Sequence, residues 1–218
     1  MIVDVLSFCT SVDIAVARGG RVLPLPLRRS DPRAQFEARQ AGAVLAAGKH
    51  ESGWSLSPSS LRTLPANTLV ALPSPNGATL SARAAEFDTV VFAGCLRNAE
   101  SVAASAHRAA NGRPVGIIAA GERWGITAGP LRPSLEDHLG AGAIAAALAE
   151  RFDGRSSPEA RLAATAFGAT ATNLREALTG AVSGRELAEK GMAADVLLAA
   201  DWNASTTAPR LTGGTYSG

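Results

Sequence analysis

Roughly the first 120 residues alternate short apolar runs with stretches whose apolar positions recur at helical spacing, the pattern of a mainly parallel sheet with helical crossovers. Residues 2–6, Ile-Val-Asp-Val-Leu, read as a first strand. Thr10 or Ser11 can cap a helix that ends at Gly19-Gly20, where glycine can take the left-handed C-cap conformation. Residues 21–27 form a second strand, and Pro24 and Pro26 argue for an edge position because proline donates nothing to a ladder. Ser30-Asp31-Pro32 then starts a helix expected to stop at Gly48. Residues 69–72 read as a central strand, 78–86 as a helix, 89–93 as a strand, and a helix capped by Asn98 runs to Asn111-Gly112 before a strand at 114–119.

The pattern changes after this. Residues 121–133 are a long polar loop, a helix spans 134–150, and beyond Pro158 the signals are helical: 159–167, 173–178, 184–190 and 193–200. Residues 1–201 are read as one α/β domain with a helical C-terminal part, and residues 202–218 as a loosely ordered tail.

Composition narrows the possibilities. The net charge is +2, Lys49 and Lys190 are the only lysines, and Arg28-Arg29 is the only adjacent arginine pair, which is not the basic stripe of a nucleic-acid binder. No apolar run approaches the roughly 20 residues that span a bilayer. Met1-Ile2-Val3-Asp4 lacks a basic region followed by an apolar stretch, so no signal peptide is expected and the default location is cytoplasmic. The short first strand leaves open a start upstream of Met1. A homodimer is likewise left open. Cys9 and Cys95, both after strands, read as reduced, semi-buried thiols.

Several catalytic patterns fail on spacing. Leu6 stands where a haloacid-dehalogenase-type phosphatase needs its second aspartate. Ala15 and Ser101 stand where a cysteine phosphatase needs arginine after Cys9 and Cys95. The stretch Gly42 to Lys49 has the wrong glycine spacing for a phosphate loop, with His50 in place of the Ser/Thr. Gly140-Ala141-Gly142 fits a loose dinucleotide pattern but lies within a helix, where close packing explains it better. His50, His107 and His138 have no ligand spacing.

What remains are polar groups after strand ends, where open α/β sheets bind ligands. Asp4 sits in an apolar run and is costly to bury unless paired or metal-bound; it is either a site acid or a carboxylate capping the next helix. Ser57 lies in a serine-rich loop offering hydroxyl and backbone donors. Asn76-Gly77 opens a helix after a strand, so its amides can receive an anion or simply form a turn. Glu136 and Asp137, in a first helical turn, suit either the helix dipole or a hard cation, and Arg123 in the preceding loop can clamp an anion or stay solvated.

Taken in order, Asp4-Val5-Leu6, Ala17 to Gly20, Leu56-Ser57-Pro58-Ser59, Asn76-Gly77, Asn98-Ala99, Ala119-Ala120-Gly121 and Leu135-Glu136-Asp137 with Gly140-Ala141-Gly142 resemble the 2-phosphosulfolactate phosphatase family over roughly residues 1–150. The resemblance implies a three-layer α/β/α fold and Mg²⁺-dependent hydrolysis of a small anionic phosphoester, 2-phosphosulfolactate or a related 2-phospho-acid. Asp4, Glu136 and Asp137 are then the candidate catalytic and metal-binding acids, and Ser57, Asn76, Gly77 and Arg123 the candidate substrate-binding residues. The chain departs from the family at Ser7, usually arginine; at Gly48-Lys49-His50, usually Gly-Glu-Arg; and at Ser74-Pro75, usually two threonines. Losing an arginine and an acid from a site for a doubly anionic substrate should change affinity or substrate choice, and it allows a second reading, a member with impaired catalysis that binds a small anionic metabolite.

Overall fold

The computed structural model describes residues 1–48, 51–125 and 129–218. Its strands are β1 (Ile2–Val3), β2 (Arg21–Leu25), β3 (Val44–Leu45), β4 (Leu69–Pro73), β5 (Val91–Gly94), β6 (Ile118–Ala119), β7 (Glu122–Arg123), β8 (Leu131–Arg132), β9 (Arg210–Thr212) and β10 (Thr215–Ser217). The helices are α1 (Phe8–Ala17), α2 (Pro32–Gln40), α3 (Gly77–Ala84), α4 (Ala99–Ala110), α5 (Leu135–Arg151), α6 (Pro158–Thr170), α7 (Leu174–Gly180), α8 (Val182–Glu189) and α9 (Ala193–Ala199). The result is a three-layer α/β/α architecture around an eight-stranded sheet in the order β3-β4-β2-β10-β9-β5-β1-β6. A separate pair, β7-β8, lies within the segment expected to be a polar loop.

The sheet is two parallel groups joined by a hairpin. β3, β4 and β2 pair in parallel, as do β5, β1 and β6. Between them β9 and β10 pair antiparallel to each other, to β5 and to β2. The C-terminal residues expected to form a loose tail therefore fill the middle of the sheet. Tyr216 explains why they stay there. Its ring is fully buried and packs edge-on against Phe8, and its hydroxyl hydrogen-bonds Ser81 at 2.8 Å. The segment leading up to the hairpin is tied down as well. Thr207 Oγ1 donates to Asp13, the backbone N–H groups of Asn203 and Ser205 donate to the carbonyls of Leu96 and Arg97, and Asn203 Oδ1 accepts from Glu100 N.

Three further expectations change. β2 is an interior strand, although its ladder to β10 is a single register pair, Tyr216 with Val22, so an edge-like gap remains beside Pro24. The helix begun by Asp31, whose side chain accepts from Arg33 N, ends at Gln40 rather than Gly48 and is followed by β3. Asn98 makes no side-chain cap to α4; its amide accepts from Cys95 N and donates to Ala93 O, and the tail residue Asn203 serves the helix start instead.

The core runs from α1 through β1, β5 and the inner face of α5. Alanine and glycine let α5 approach closely. A Cβ on Gly142 would meet the Ala163 carbonyl oxygen at 2.2 Å, and one on Gly140 would meet the Val5 side chain at 2.6 Å, so these glycines serve packing. Cys9 and Cys95 are free and fully buried rather than half-buried. Burial drives the Cys9 thiol well above its ordinary value and the Cys95 thiol up to about 12. No described helix is long and apolar enough to cross a membrane.

Candidate active site

β1 delivers Asp4 to the sheet's end with fully buried valines on either side, so its carboxylate needs internal partners. Oδ1 accepts from Phe8 N at 3.1 Å, at the start of α1, and Oδ2 accepts from Gly77 N at 2.9 Å, at the start of α3. One acid thus caps two helices, where both dipoles favour negative charge. Asp137, in the first turn of α5, repeats the device. Its Oδ1 accepts from Val5 N at 2.7 Å and its Oδ2 from Gly121 N at 2.9 Å, clamping the chain after β1 to the chain after β6. Glu136 is 3% exposed, and its Oε2 has no hydrogen-bond partner among the described residues.

Two glycines are required by this geometry. A Cβ on Gly77 would stand 2.4 Å from the Phe8 ring and 2.7 Å from Asp4 Oδ2. Gly121 has φ +71°, a conformation that turns its N–H to Asp137 and that side chains resist. Gly77→Ala should therefore displace Asp4, lowering stability by roughly 1–3 kcal/mol and cutting activity with it; thermal melts and turnover assays on the purified variant check both.

The electrostatics are those of crowded acids. Burial raises the Asp4 carboxyl to about 6, the N–H groups of Phe8 and Gly77 pull it back, and Glu122 and Glu136 push it up further. Burial, then the Asp4 charge, holds Asp137 well above the carboxylate range. An acid whose pKa is higher folded than unfolded keeps its proton longer in the folded state. Between 3.8 and about 6 the folded chain is thus richer in protons, and stability falls as pH rises through that window. For the metal-free protein, a shift of about two units amounts to roughly 3 kcal/mol. Urea melts at about pH 4 and pH 7 should show wild type losing more stability than Asp4→Asn as pH rises; equal losses would mean Asp4 is not the group responsible.

The structure brings together Asp4, Gly77, Glu136 and Asp137. Asn76 is half-buried at the start of α3, with no side-chain cap bond, and contributes its carbonyl to Leu80 N. Ser57 is not joined to this cluster. Its hydroxyl bonds Ser59, whose N–H and hydroxyl both reach Asp195 in α9. Arg123 is exposed on β7, where its guanidinium donates to the Gly129 carbonyl and points to no acid of the cluster. Lys49 and His50 lie outside the described residues. Sequence reasoning gave no site role to three buried groups. Asp195 holds the serine loop. Arg132 and Ser134 flank the acids, and the alternating burial of residues 131–136 is the signal that would have found them. Glu122, given no role in the sequence reading, is half-buried and acts on Asp4.

Neither of two shallow clefts on the molecule contains these acids. One is lined by residues of α7 and Trp202, the other by Arg29, Glu51, Pro73 and Pro75, and the second abuts Asn76. Among the described residues no group of three His, Cys, Asp or Glu side chains is arranged to hold a metal alone. Mg²⁺ asks for less, usually one or two carboxylates with waters and a phosphate. The all-oxygen donor set and the unpartnered Glu136 Oε2 fit that demand, and each oxygen of Asp4 keeps a second lone pair.

A family model described as 2-phosphosulpholactate phosphatase matches residues 1–214. No curated protein matches the chain.

Proposed function

We propose, since this chain belongs to the 2-phosphosulpholactate phosphatase family, that it hydrolyses a small acidic phosphomonoester, 2-phosphosulfolactate or a related 2-phospho-acid, with Mg²⁺. The observation that carries the Mg²⁺ reading is the buried acid cluster, in which Asp4 and Asp137 are satisfied by backbone N–H groups and Glu136 keeps an unpartnered oxygen. Glu136 would be the principal ligand and Asp4 its neighbour. When bound, Mg²⁺ would offset the phosphoryl charge and orient water for in-line attack. Asp4 fixes the starts of α1 and α3 on one carboxylate, and Asp137 fixes the turns after β1 and β6, so the phosphoester meets a preorganised wall.

The test is a phosphate-release screen over 2-phospho-acids and neutral phosphomonoesters, with and without Mg²⁺. Release that requires Mg²⁺ and prefers the 2-phospho-acids is expected. Release without that preference would sink the substrate assignment. The second reading, an impaired member that binds a small anion, draws on Ser7, which stands half-buried at the α1 N-cap with no side-chain cap bond where the family has arginine. It predicts a thermal shift with sulfolactate and no release from any ester.

A further inference from the structure

Four buried side-chain atoms lack a hydrogen-bond partner among the described residues: Arg132 Nε, Ser134 Oγ, Glu136 Oε2 and Asp195 Oδ2. Three of them belong to one alternating stretch. Leu131, Pro133 and Leu135 are exposed, while Arg132, Ser134 and Glu136 are 3%, 5% and 3% exposed. β8 ends at Arg132, and Ser134 continues it in extended conformation, φ −110° and ψ 115°, so residues 132 and 134 present their side chains to the same side. Leaving such an atom unpaired carries its full desolvation penalty, and buried polar atoms are seldom orphaned. Three in five residues point to a ligand.

The two groups nearest β8 are donors. Ser134 is the N-cap residue of α5 yet makes no cap bond, so its hydroxyl is not spent on the helix. The Arg132 guanidinium is held from one side, with Nη2 donating to Ser183 Oγ at 3.2 Å and Glu186 Oε2 at 3.3 Å and the Trp124 ring 5.4 Å away, while Nε–H stays unused. Both stand at the positive end of a 17-residue helix. Acids stand close by: Glu122 is the register partner of Arg132 across β7-β8, and Glu136 and Asp137 follow in the first turn of α5. Hard oxygens and two unspent donors thus lie within one short stretch of chain. A phosphoryl group with its cation suits the acids. A carboxylate or sulfonate, which takes two donors without a metal, suits the donors.

We infer that Arg132 and Ser134 form the subsite for the non-transferred acid group of the substrate, a carboxylate or sulfonate. This rests on the phosphatase reading for the substrate's identity, but the binding can be measured without turnover. Calorimetric titration of wild type, Arg132→Gln and Ser134→Ala should use sulfolactate, which carries both acid groups and no phosphoryl, and separately inorganic phosphate with Mg²⁺. Wild type should bind sulfolactate. Arg132→Gln should weaken that binding by at least about tenfold and Ser134→Ala by several-fold, with the loss concentrated on sulfolactate rather than phosphate. Because Arg132 is buried and its variant is at risk of misfolding, Ser134→Ala decides if only it folds. It should melt at or above the wild-type temperature, since it removes an unpaired hydroxyl, whereas loss of a structural cap would lower the melting temperature. Equal loss of phosphate affinity would make this a phosphoryl site and overturn the subsite, as would unchanged sulfolactate affinity in the folded variants or no binding by wild type. Mg²⁺-dependent release with no such loss removes the subsite alone; sulfolactate binding lost in the variants, without release by wild type, removes the phosphatase reading alone.

Discussion

Asp4→Asn should lower Mg²⁺-dependent phosphate release by more than about 100-fold while leaving a folded protein. The carboxylate accepts one backbone N–H on each oxygen, from Phe8 and from Gly77. An amide has a single oxygen, so its NH₂ must face one of those donors, and that pair is lost at roughly 1–3 kcal/mol. Against this, the variant no longer buries a charge whose carboxyl is pushed to about 6 by desolvation and by neighbouring acids. The two effects oppose each other in stability, and they do not in catalysis, where both the negative charge and the shared anchoring of α1 and α3 are lost. Circular dichroism should match wild type, and a melting temperature within a few degrees of it would separate loss of chemistry from loss of fold. Unchanged turnover would remove Asp4 from the mechanism.

Deleting residues 202–218 should abolish folding altogether. The deletion takes out β9 and β10, which stand between β2 and β5 in the sheet order, and leaves those two interior strands as open edges. It also removes the fully buried Tyr216, the Thr207 hydroxyl that bonds the buried Asp13, and the Asn203 oxygen at the start of α4. The shortened chain is expected to be insoluble or to lack a cooperative melt, whereas removal of a loose tail would leave both unchanged. A milder version is Tyr216→Ala, expected to cost about 3–5 kcal/mol in urea unfolding by opening a cavity beside Phe8. Tyr216→Phe, which loses only the bond to Ser81, should cost about 1 kcal/mol.

These two residues mark what was and was not legible in the sequence. Asp4 was visible because a charged residue inside Ile-Val-Asp-Val-Leu contradicts its neighbours, and buried charge is expensive wherever it falls. The helix-cap reading of it is met directly, since the carboxylate accepts from Phe8 N and Gly77 N; the site-acid reading is the one that the Asp4→Asn assay tests. Glu136 and Asp137 were visible by their place in a first helical turn, yet only the structure separates them: Asp137 is clamped by Val5 and Gly121, and Glu136 keeps an oxygen with no partner among the described residues. Ser57 and Arg123 were drawn toward the site by motif and loop position, and the structure takes them to Ser59 and to Gly129 instead. Arg132 was overlooked because arginines in polar loops are usually solvated, and its burial depends on α8 and Trp124, which are distant from it or unremarkable in sequence.

The alternation of strands and helices and the acids that cannot be buried cheaply are legible in the chain alone, because they follow from local periodicity, turn chemistry and the cost of desolvating charge. The family is legible instead in the order of short motifs from Asp4 to Gly142. Long-range contacts put the last residues in the middle of the sheet, make β2 interior, and set which polar atoms are brought together. Strand order and side-chain partnership are set by contacts such as Tyr216 with Val22 and Asp4 with Gly77, made across long stretches of chain, and local pattern carries no record of them.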